Sequence, residues 1–305
     1  MTTQQITTEL QTIRDWLRYA VSRFENSDIF YGHGTDNAYD EAVWLIMSAL
    51  HLPHDTLNNF LDAKLISEER LKLAAFIDER ISKHTPTAYL LKEAWLQGYK
   101  FYVDERVLIP RSFIAELLVN DGLQPWIEFP ELVNSAADLC TGSGCLGVLL
   151  ADAYPDAEID VIDISPDAID VCNINIANYG MQDRIAAIQS DMFSALQDVN
   201  GMPKQYDLII SNPPYVDAPS MAELPAEYRN EPQLALGSGT AGLDHTHTIL
   251  SEAANYLTDN GVLVVEIGHN RDALLEAYPD LPFTWLEVSS GDEFVFLLTK
   301  SQLTS

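Results

Sequence analysis

The sequence predicts an α/β protein, in which a small helical domain precedes a seven-stranded, mostly parallel sheet covered by helices on both faces. Three observations predict it. From Ala136 onward, short apolar runs alternate with stretches of helical periodicity, the pattern of a parallel sheet. The last two runs are separated only by Val288 to Glu293, too short for a crossover helix, so they should pair antiparallel. Before Trp95 the apolar residues recur at three- and four-residue spacing alone, which is helical.

Taken in order, Thr7 to Phe24 places Leu10, Ile13, Trp16, Leu17, Ala20, Val21 and Phe24 on one face and predicts a single helix. The polar segment Tyr31-Gly32-His33-Gly34-Thr35-Asp36-Asn37 ends that pattern. Asp40 to Leu50 predicts a second helix and Ser67 to His84 a third, with Ser67 as N-cap and Glu68 and Glu69 in its first turn. Aromatic and β-branched residues around Gly98 and Asp104-Glu105 predict a β-hairpin over Trp95 to Ile109. The expected organisation is a helical domain over 1–93, a bridging hairpin over 94–112 and an α/β domain over 113–305. Within the last, strands are expected at Ala137–Cys140, Glu158–Ile162, Ile185–Gln189, Asp207–Ser211, Gly261–Ile267, Phe283–Glu287 and Phe294–Leu298. Helices are expected at Cys145–Ala153, Pro166–Tyr179, His245–Tyr256 and Arg271–Ala277.

Composition restricts the function. With 305 residues, 47% of them hydrophobic, the chain can build two packed domains. Its 46 acidic and 17 basic residues give a formal charge of −29, a field that repels nucleic-acid phosphates and attracts basic partners. Scattered solvated acids are the plainer account of that excess. Cys140, Cys145 and Cys172 are odd in number and lack zinc-site spacing, so reduced thiols in a cytoplasm and no metal are expected. No run approaches the roughly 20 apolar residues that span a bilayer, and no signal pattern opens the chain.

The candidate site gathers at strand ends, where ligands of open α/β sheets bind. The first strand runs into Cys140-Thr141-Gly142-Ser143-Gly144, small residues that permit a tight turn and close approach of a ligand to backbone N–H groups. Gly142, Gly144 and Gly147 satisfy G-x-G-x-x-G, so a dinucleotide-dependent dehydrogenase is one reading. The second strand ends at Asp163, a carboxylate suited to ribose hydroxyls, and the third at Ser190-Asp191-Met192-Phe193, which could flank an adenine. As structural alternatives, Asp163 is a helix-capping acid and Asp191 a turn residue. The fourth strand stops at Asn212-Pro213-Pro214-Tyr215. Two prolines lack N–H donors and fix φ, so the side chain of Asn212 and the nearby carbonyls are presented rigidly. Three adenosine-type strand ends followed by this turn favour S-adenosylmethionine over a nicotinamide cofactor.

These stretches, D-L-C-T-G-S-G from Asp138, D-I-S from Asp163, S-D-M-F from Ser190, N-P-P-Y from Asn212 and E-P-Q-L-A-L over Glu231 to Leu236, resemble the HemK-type protein glutamine N(5)-methyltransferases. Tyr31 to Asn37, Phe101 to Val107 and Ile109-Pro110-Arg111-Ser112 are similar to the branch acting on large-subunit ribosomal protein L-three. The release-factor branch usually carries P-R-P-x-T-E and a glycine where Ser112 and Cys140 stand here. The resemblance spans essentially the whole chain. It implies a class I S-adenosylmethionine-dependent methyltransferase fold, Rossmann-like with its last strand antiparallel, and a substrate-recognition role for the helical domain. It implies that Asn212 and Pro213 accept the two N–H bonds of a glutamine amide, that Tyr215 packs against it and that Pro214 shapes the loop. It also implies that Cys140, Thr141, Gly142, Ser143, Gly144, Asp163, Asp191, Met192 and Asn212 hold the cofactor. A basic protein, L-three, is the implied partner, with no direct nucleic-acid or membrane binding.

Other residues carry less. His245 and His247, two apart on an expected helix, do not share a face and read as a solvated helix start. Glu266 at the fifth strand's end reads equally as a capping, packing or substrate residue. Val216 to Leu243 is long enough for a lid, on which Tyr228 and Arg229 could touch a protein substrate or lie in solvent. Competing functions are release-factor glutamine methylation, adenine-N6 methylation of nucleic acid, and a ribosome-assembly factor without catalysis.

Overall fold

The computed structural model describes residues 3–304. They form two compact units: the residues up to Ala94 together with Pro225–Asn230, and Trp95–Leu224 together with the residues from Glu231 onward.

The helical unit contains α1 (Thr3–Glu9), α2 (Ile13–Glu25), α3 (Ala38–Ala49), α4 (Leu57–Phe60), α5 (Ser67–Ser82) and α6 (Thr87–Leu91). Ile13, Trp16, Leu17, Ala20 and Phe24 of α2 pack with Leu45 and Ile46 of α3 and Leu73 and Ile77 of α5. The single helix expected over Thr7 to Phe24 is two helices. Thr12 Oγ1 accepts from Asp15 N at 3.2 Å, while Asp15 Oδ2 accepts from Thr12 N and Gln11 N, a capping box that starts α2 afresh. Nor is Ser67 an N-cap. It is the first helical residue of α5, and Glu69 Oε2 serves the preceding turn by accepting from Ile66 N at 2.9 Å. Arg80 is buried inside this unit between Glu41 and Glu227, and its Nη1 donates to Glu227 Oε1 at 2.8 Å. The short segment Pro225–Asn230 is thereby tied into the helical core.

In the α/β unit, β1 (Ala94–Leu96) and β2 (Tyr99–Phe101) form a hairpin shorter than expected. Gln97 and Gly98 both have positive φ, the requirement of a tight two-residue turn, and pairing stops at Phe101. The Asp104 region is no second turn of the hairpin. Asp104 accepts two hydrogen bonds from the Arg106 guanidinium and one from Tyr102, which hold its carboxyl at about 2, below the ordinary range. Then follow α7 (Ile114–Val119), β3 (Ser135–Leu139), α8 (Cys145–Ala153), β4 (Glu158–Asp163), α9 (Pro166–Asn178), β5 (Ile185–Gln189), β6 (Tyr206–Ser211), α10 (Ala218–Glu223), α11 (Asp244–Glu252), β7 (Leu257–Glu266), α12 (Arg271–Ala277), β8 (Thr284–Val288), β9 (Gly291–Thr299) and α13 (Lys300–Leu303). The helix expected to reach Tyr256 ends at Glu252 and tightens into a 3-10 turn over Ala253–Asn255.

The sheet order is β5-β4-β3-β6-β7-β9-β8. β9 is antiparallel to both neighbours, and β3, β4, β5, β6 and β7 pair in parallel. The final hairpin therefore pairs antiparallel as expected, with the last strand inserted between β7 and β8. Alternation along the strands builds one core on each face. Ala136, Leu208, Ile210, Val262 and Val264 pack toward α7 and α8, while Ala137, Leu139, Ile209, Leu263 and Val265 pack toward α11 and α12. Chain order reverses between β3 and β6, and a crevice at their C-terminal ends follows from that switch. Among the described residues, no helix is long and apolar enough to cross a membrane.

Candidate active site

A cleft partly open to solvent lies at those strand ends. Cys140, Gly142, Asp163, Asp191, Met192, Asn212 and Pro214 line it, seven of the residues singled out from sequence. Thr141, Ser143, Gly144, Pro213 and Tyr215 belong to the same turns but are not among its lining residues.

The turn after β3 is built from backbone. Thr141 N donates to the Ile162 carbonyl at 2.9 Å, and its hydroxyl bonds the buried Asp138. The buried Ser143 offers its carbonyl to Asn175 Nδ2 at 2.9 Å. Gly144 has φ of +80°, and a Cβ there would lie 2.5 Å from Cys172 Sγ. One at Gly147 would lie 2.2 Å from Val161 Cγ1, so α8 can press on β4 only without a side chain at that position. By contrast, Gly142 meets nothing within 4 Å and leaves its face of the cleft open. Cys140 adopts φ of +59°, a left-handed conformation that glycine takes without strain. Met192 is similar at +47°, and Ser190 Oγ supports it by donating to the Met192 carbonyl at 3.0 Å.

Asp163 closes the turn. Its Oδ2 accepts from Gly142 N and its Oδ1 from Ser165 N, each at 2.9 Å, so the carboxylate is oriented while each oxygen keeps a lone pair for a further donor. Helix capping of α9 falls instead to Ser165, whose Oγ accepts from Ala168 N. Burial raises the Asp163 carboxyl above its ordinary value. Asp138 behind it is fully buried and pushed up to about 7. Burial also pushes the Cys140, Cys145 and Cys172 thiols upward, so none is poised as a nucleophile.

The turn after β6 is an array of acceptors. Ser211 Oγ donates to the Leu139 carbonyl at 2.9 Å and pins the end of β6 beside the end of β3. Asn270 Nδ2 donates to the Tyr215 carbonyl at 2.7 Å. Among the described residues, neither the Asn212 side-chain amide nor the Pro213 carbonyl has a hydrogen-bond partner. The segment Val216 to Leu243 is closed at its base, with Val216 N donating to the Leu236 carbonyl and Ser238 N to the Val216 carbonyl. Pro232, Leu234 and Ala235 from its return limb line the cleft, as do Arg106, Val107 and Leu108 after the hairpin. Glu231 and Arg111 join these limbs by two hydrogen bonds of 2.7 Å, with the Glu231 carboxylate fully buried.

Several positions differ from expectation. His245 is no solvated helix start. It is half-buried, lines the cleft, and meets Ser238 Oγ through Nδ1 at 2.8 Å. Burial lowers its pKa, which favours the neutral ring. His247 contacts the Tyr278 hydroxyl instead. Within the helical unit, Tyr228 packs on the His33 ring at 4.4 Å between centroids, while Arg229 is exposed. Glu266 is buried and reaches Tyr215. Periodicity gave no signal for His245, Glu231 or Asn270; the charged Arg111 and Glu231 stand inside the quoted P-R-S and E-P-Q stretches, which were the one available hint.

Known proteins bear on this cleft. A family model described as methyltransferase small domain matches residues 125–224, a span that contains β3 to α10. The ribosomal protein uL3 glutamine methyltransferase of Neisseria gonorrhoeae is 58% identical, covering 98% of each chain. Proteins of the same description from Burkholderia pseudomallei and Bordetella pertussis are 51% identical over 97% of each chain, and 50% identical over 97% of this chain and 98% of theirs. With identity of this level over nearly its full length, and the expected strand-end motifs around one cleft, the chain belongs to the family of ribosomal protein uL3 glutamine methyltransferases.

Proposed function

We propose that this enzyme transfers a methyl group from S-adenosylmethionine to the side-chain amide nitrogen of a glutamine in ribosomal protein uL3, the protein called L-three above. The observation that carries the reading is Asn212, which lines the cleft with a side-chain amide that has no partner among the described residues, next to the proline pair that fixes its turn. The residues fit the cofactor. Asp163 keeps lone pairs for two ribose hydroxyls, Gly142 leaves room for close approach, and Asp191 and Met192 border the place of an adenine. When bound, the cofactor supplies an electrophilic methyl group on a sulfonium.

A glutamine amide nitrogen is a poor nucleophile because its lone pair is delocalised into the carbonyl. Asn212 Oδ1 and the Pro213 carbonyl accept its two N–H bonds, turn the nitrogen toward the methyl group and stabilise positive charge as it develops there. The effect is the sign-reversed counterpart of an oxyanion hole. Holding the reacting atoms in line supplies up to roughly 7–11 kcal/mol of the barrier reduction. No strong base is required, since an alkylated amide nitrogen loses its proton readily. The Tyr215 ring packs against the acceptor amide. Substrate choice falls to the helical unit, whose Tyr31 to Asn37 segment carries the branch resemblance, and the acidic surface favours a basic partner.

Incubation of the purified protein with labelled S-adenosylmethionine and each of uL3 and a release factor tests the reading. Label and a mass gain of one methyl group on a uL3 glutamine are expected. Label on the release factor alone overturns the substrate.

A further inference from the structure

Tyr215, the last residue of the acceptor turn, is gripped at three points by the end of β7 and the residues just after it. Its hydroxyl donates to Glu266 Oε1 at 3.4 Å, and its carbonyl accepts from Asn270 Nδ2 at 2.7 Å. Its ring lies so close to Gly268 that a Cβ there would sit 2.6 Å from Cε2, and Gly268 itself has φ of +55°. The same Asn270 amide reaches the Gly242 carbonyl at 3.3 Å, and a Cβ on Gly242 would lie 2.4 Å from the Tyr215 carbonyl oxygen. Glycine at both positions is therefore what lets these chains close on Tyr215.

Glu266 is an unusual component of this grip. It is fully buried, and its Oε2 already accepts from Ser112 Oγ at 2.7 Å and Phe113 N at 2.9 Å, at the start of α7. The other oxygen is directed to the tyrosine. A carboxyl in such a place is costly, and well-packed apolar residues often serve stability better. Its contact with a residue of the acceptor turn supplies a reason for it. Displacing a reacting partner by about 1 Å can cost on the order of a hundredfold in rate, so the fixing of this ring has kinetic weight.

We propose that Glu266 and Asn270 are positioning residues for methyl transfer: by holding the hydroxyl and the carbonyl of Tyr215, they set its ring where the acceptor amide packs. They act on turnover and leave cofactor affinity alone. The proposal rests on Asn212 to Tyr215 being the acceptor site.

The full chain carrying Glu266→Ala, Glu266→Gln, Asn270→Ala, Tyr215→Phe or Glu266→Ala with Tyr215→Phe tests it. Three quantities are measured: methyl transfer to uL3, S-adenosylhomocysteine binding by calorimetry, and hydrogen exchange at the Tyr215 and Val216 amides. Glu266→Ala and Asn270→Ala should each lower kcat by about tenfold or more while the dissociation constant of S-adenosylhomocysteine stays within about twofold. Exchange at the two amides should quicken. Glu266→Gln should keep kcat within about threefold, because one carbonyl oxygen can serve Ser112 and Phe113 while the amide donates to the tyrosine oxygen. In the Tyr215→Phe background, Glu266→Ala should add no further loss.

Losses that multiply in the double variant, cofactor affinity that falls in step with kcat, or unchanged exchange overturn the proposal. Should Glu266→Ala fail to fold, Asn270→Ala decides, since it removes no contact to Ser112 or Phe113. Exchange requires no methyl acceptor. Wild-type protein that leaves uL3 unmethylated while the variants quicken exchange overturns the substrate reading and not the positioning.

Discussion

The turns after β3 and β6 lie on neighbouring strands and are built in opposite ways. The first spends its N–H groups within the fold, Thr141 on the Ile162 carbonyl, Gly142 on Asp163 and Gly144 on the Thr141 carbonyl, and leaves empty space over Gly142, while the Thr141 hydroxyl bonds the buried Asp138. The second carries acceptors that have no partner among the described residues, the Asn212 side-chain oxygen and the Pro213 carbonyl. Its two prolines have no N–H, and Asn270, from a distant segment, donates to the Tyr215 carbonyl. The lesson is chemical. A turn whose N–H groups find local partners holds itself, whereas a proline turn makes few bonds of its own and is held from outside, here by Asn270.

If this division is right, substitutions in the two turns move different quantities. The largest effect is expected from Asn212→Ala, which removes one of two acceptors and should lower kcat by roughly 10²- to 10³-fold, with cofactor affinity changed at most a few-fold. Methyl-transfer kinetics beside calorimetry check it, and an affinity loss as large as the kcat loss would erase the distinction. Asp163→Ala is the converse: it should weaken S-adenosylhomocysteine binding by roughly ten- to a hundredfold, the worth of charge-assisted hydrogen bonds. Gly147→Ala probes the foundation of the first turn. The new Cβ would meet Val161, so urea unfolding should show a loss of about 1–3 kcal/mol, while Gly142→Ala, whose Cβ would meet nothing within 4 Å, should lose only the roughly 1–2 kcal/mol that a left-handed φ costs a side chain.

The smallest effect is in pH dependence. Asp138 beneath the first turn and Glu266 beneath the second are both raised by burial to about 7, against unfolded values near ~4. Between those values the folded chain binds more protons than the unfolded chain, so the contribution of both groups is full below about pH 4 and declines as pH rises through 7. Repulsion among the 46 acidic residues has the same sign, so the reading lies in the variants. Asp138→Asn and Glu266→Gln should each flatten the fall of the urea midpoint between about pH 5 and 7.5, and together should flatten it additively. An unchanged slope in either would mean that carboxyl is ionised in the folded protein.

The strands were legible because parallel core strands are short apolar runs between turn residues, and Ile185–Gln189 and the helix Cys145–Ala153 stand where periodicity places them. The break between α1 and α2 was not, since the apolar stripe continues across it and only the Thr12 to Asp15 capping box interrupts the helix. The hairpin was overextended for a similar reason: Asp104 resembles a turn residue but spends its carboxylate on Arg106. The turn after β3 was legible as a turn, because its small residues are consecutive in the chain.

Sequence by itself determined the α/β class, the antiparallel last hairpin, and the turns from Cys140 to Gly144 and from Asn212 to Tyr215, each of which follows from residues adjacent in the chain. Tertiary structure alone decided that the last strand enters between β7 and β8, that Pro225–Asn230 joins the helical core through Glu227 and Arg80, and that Tyr215 is gripped by Glu266 and Asn270. Local rules fix what a residue can donate or accept. Which partner it meets 50 or more residues away depends on how the strands are ordered, and that order follows from burying two apolar faces at once, which no single stretch encodes.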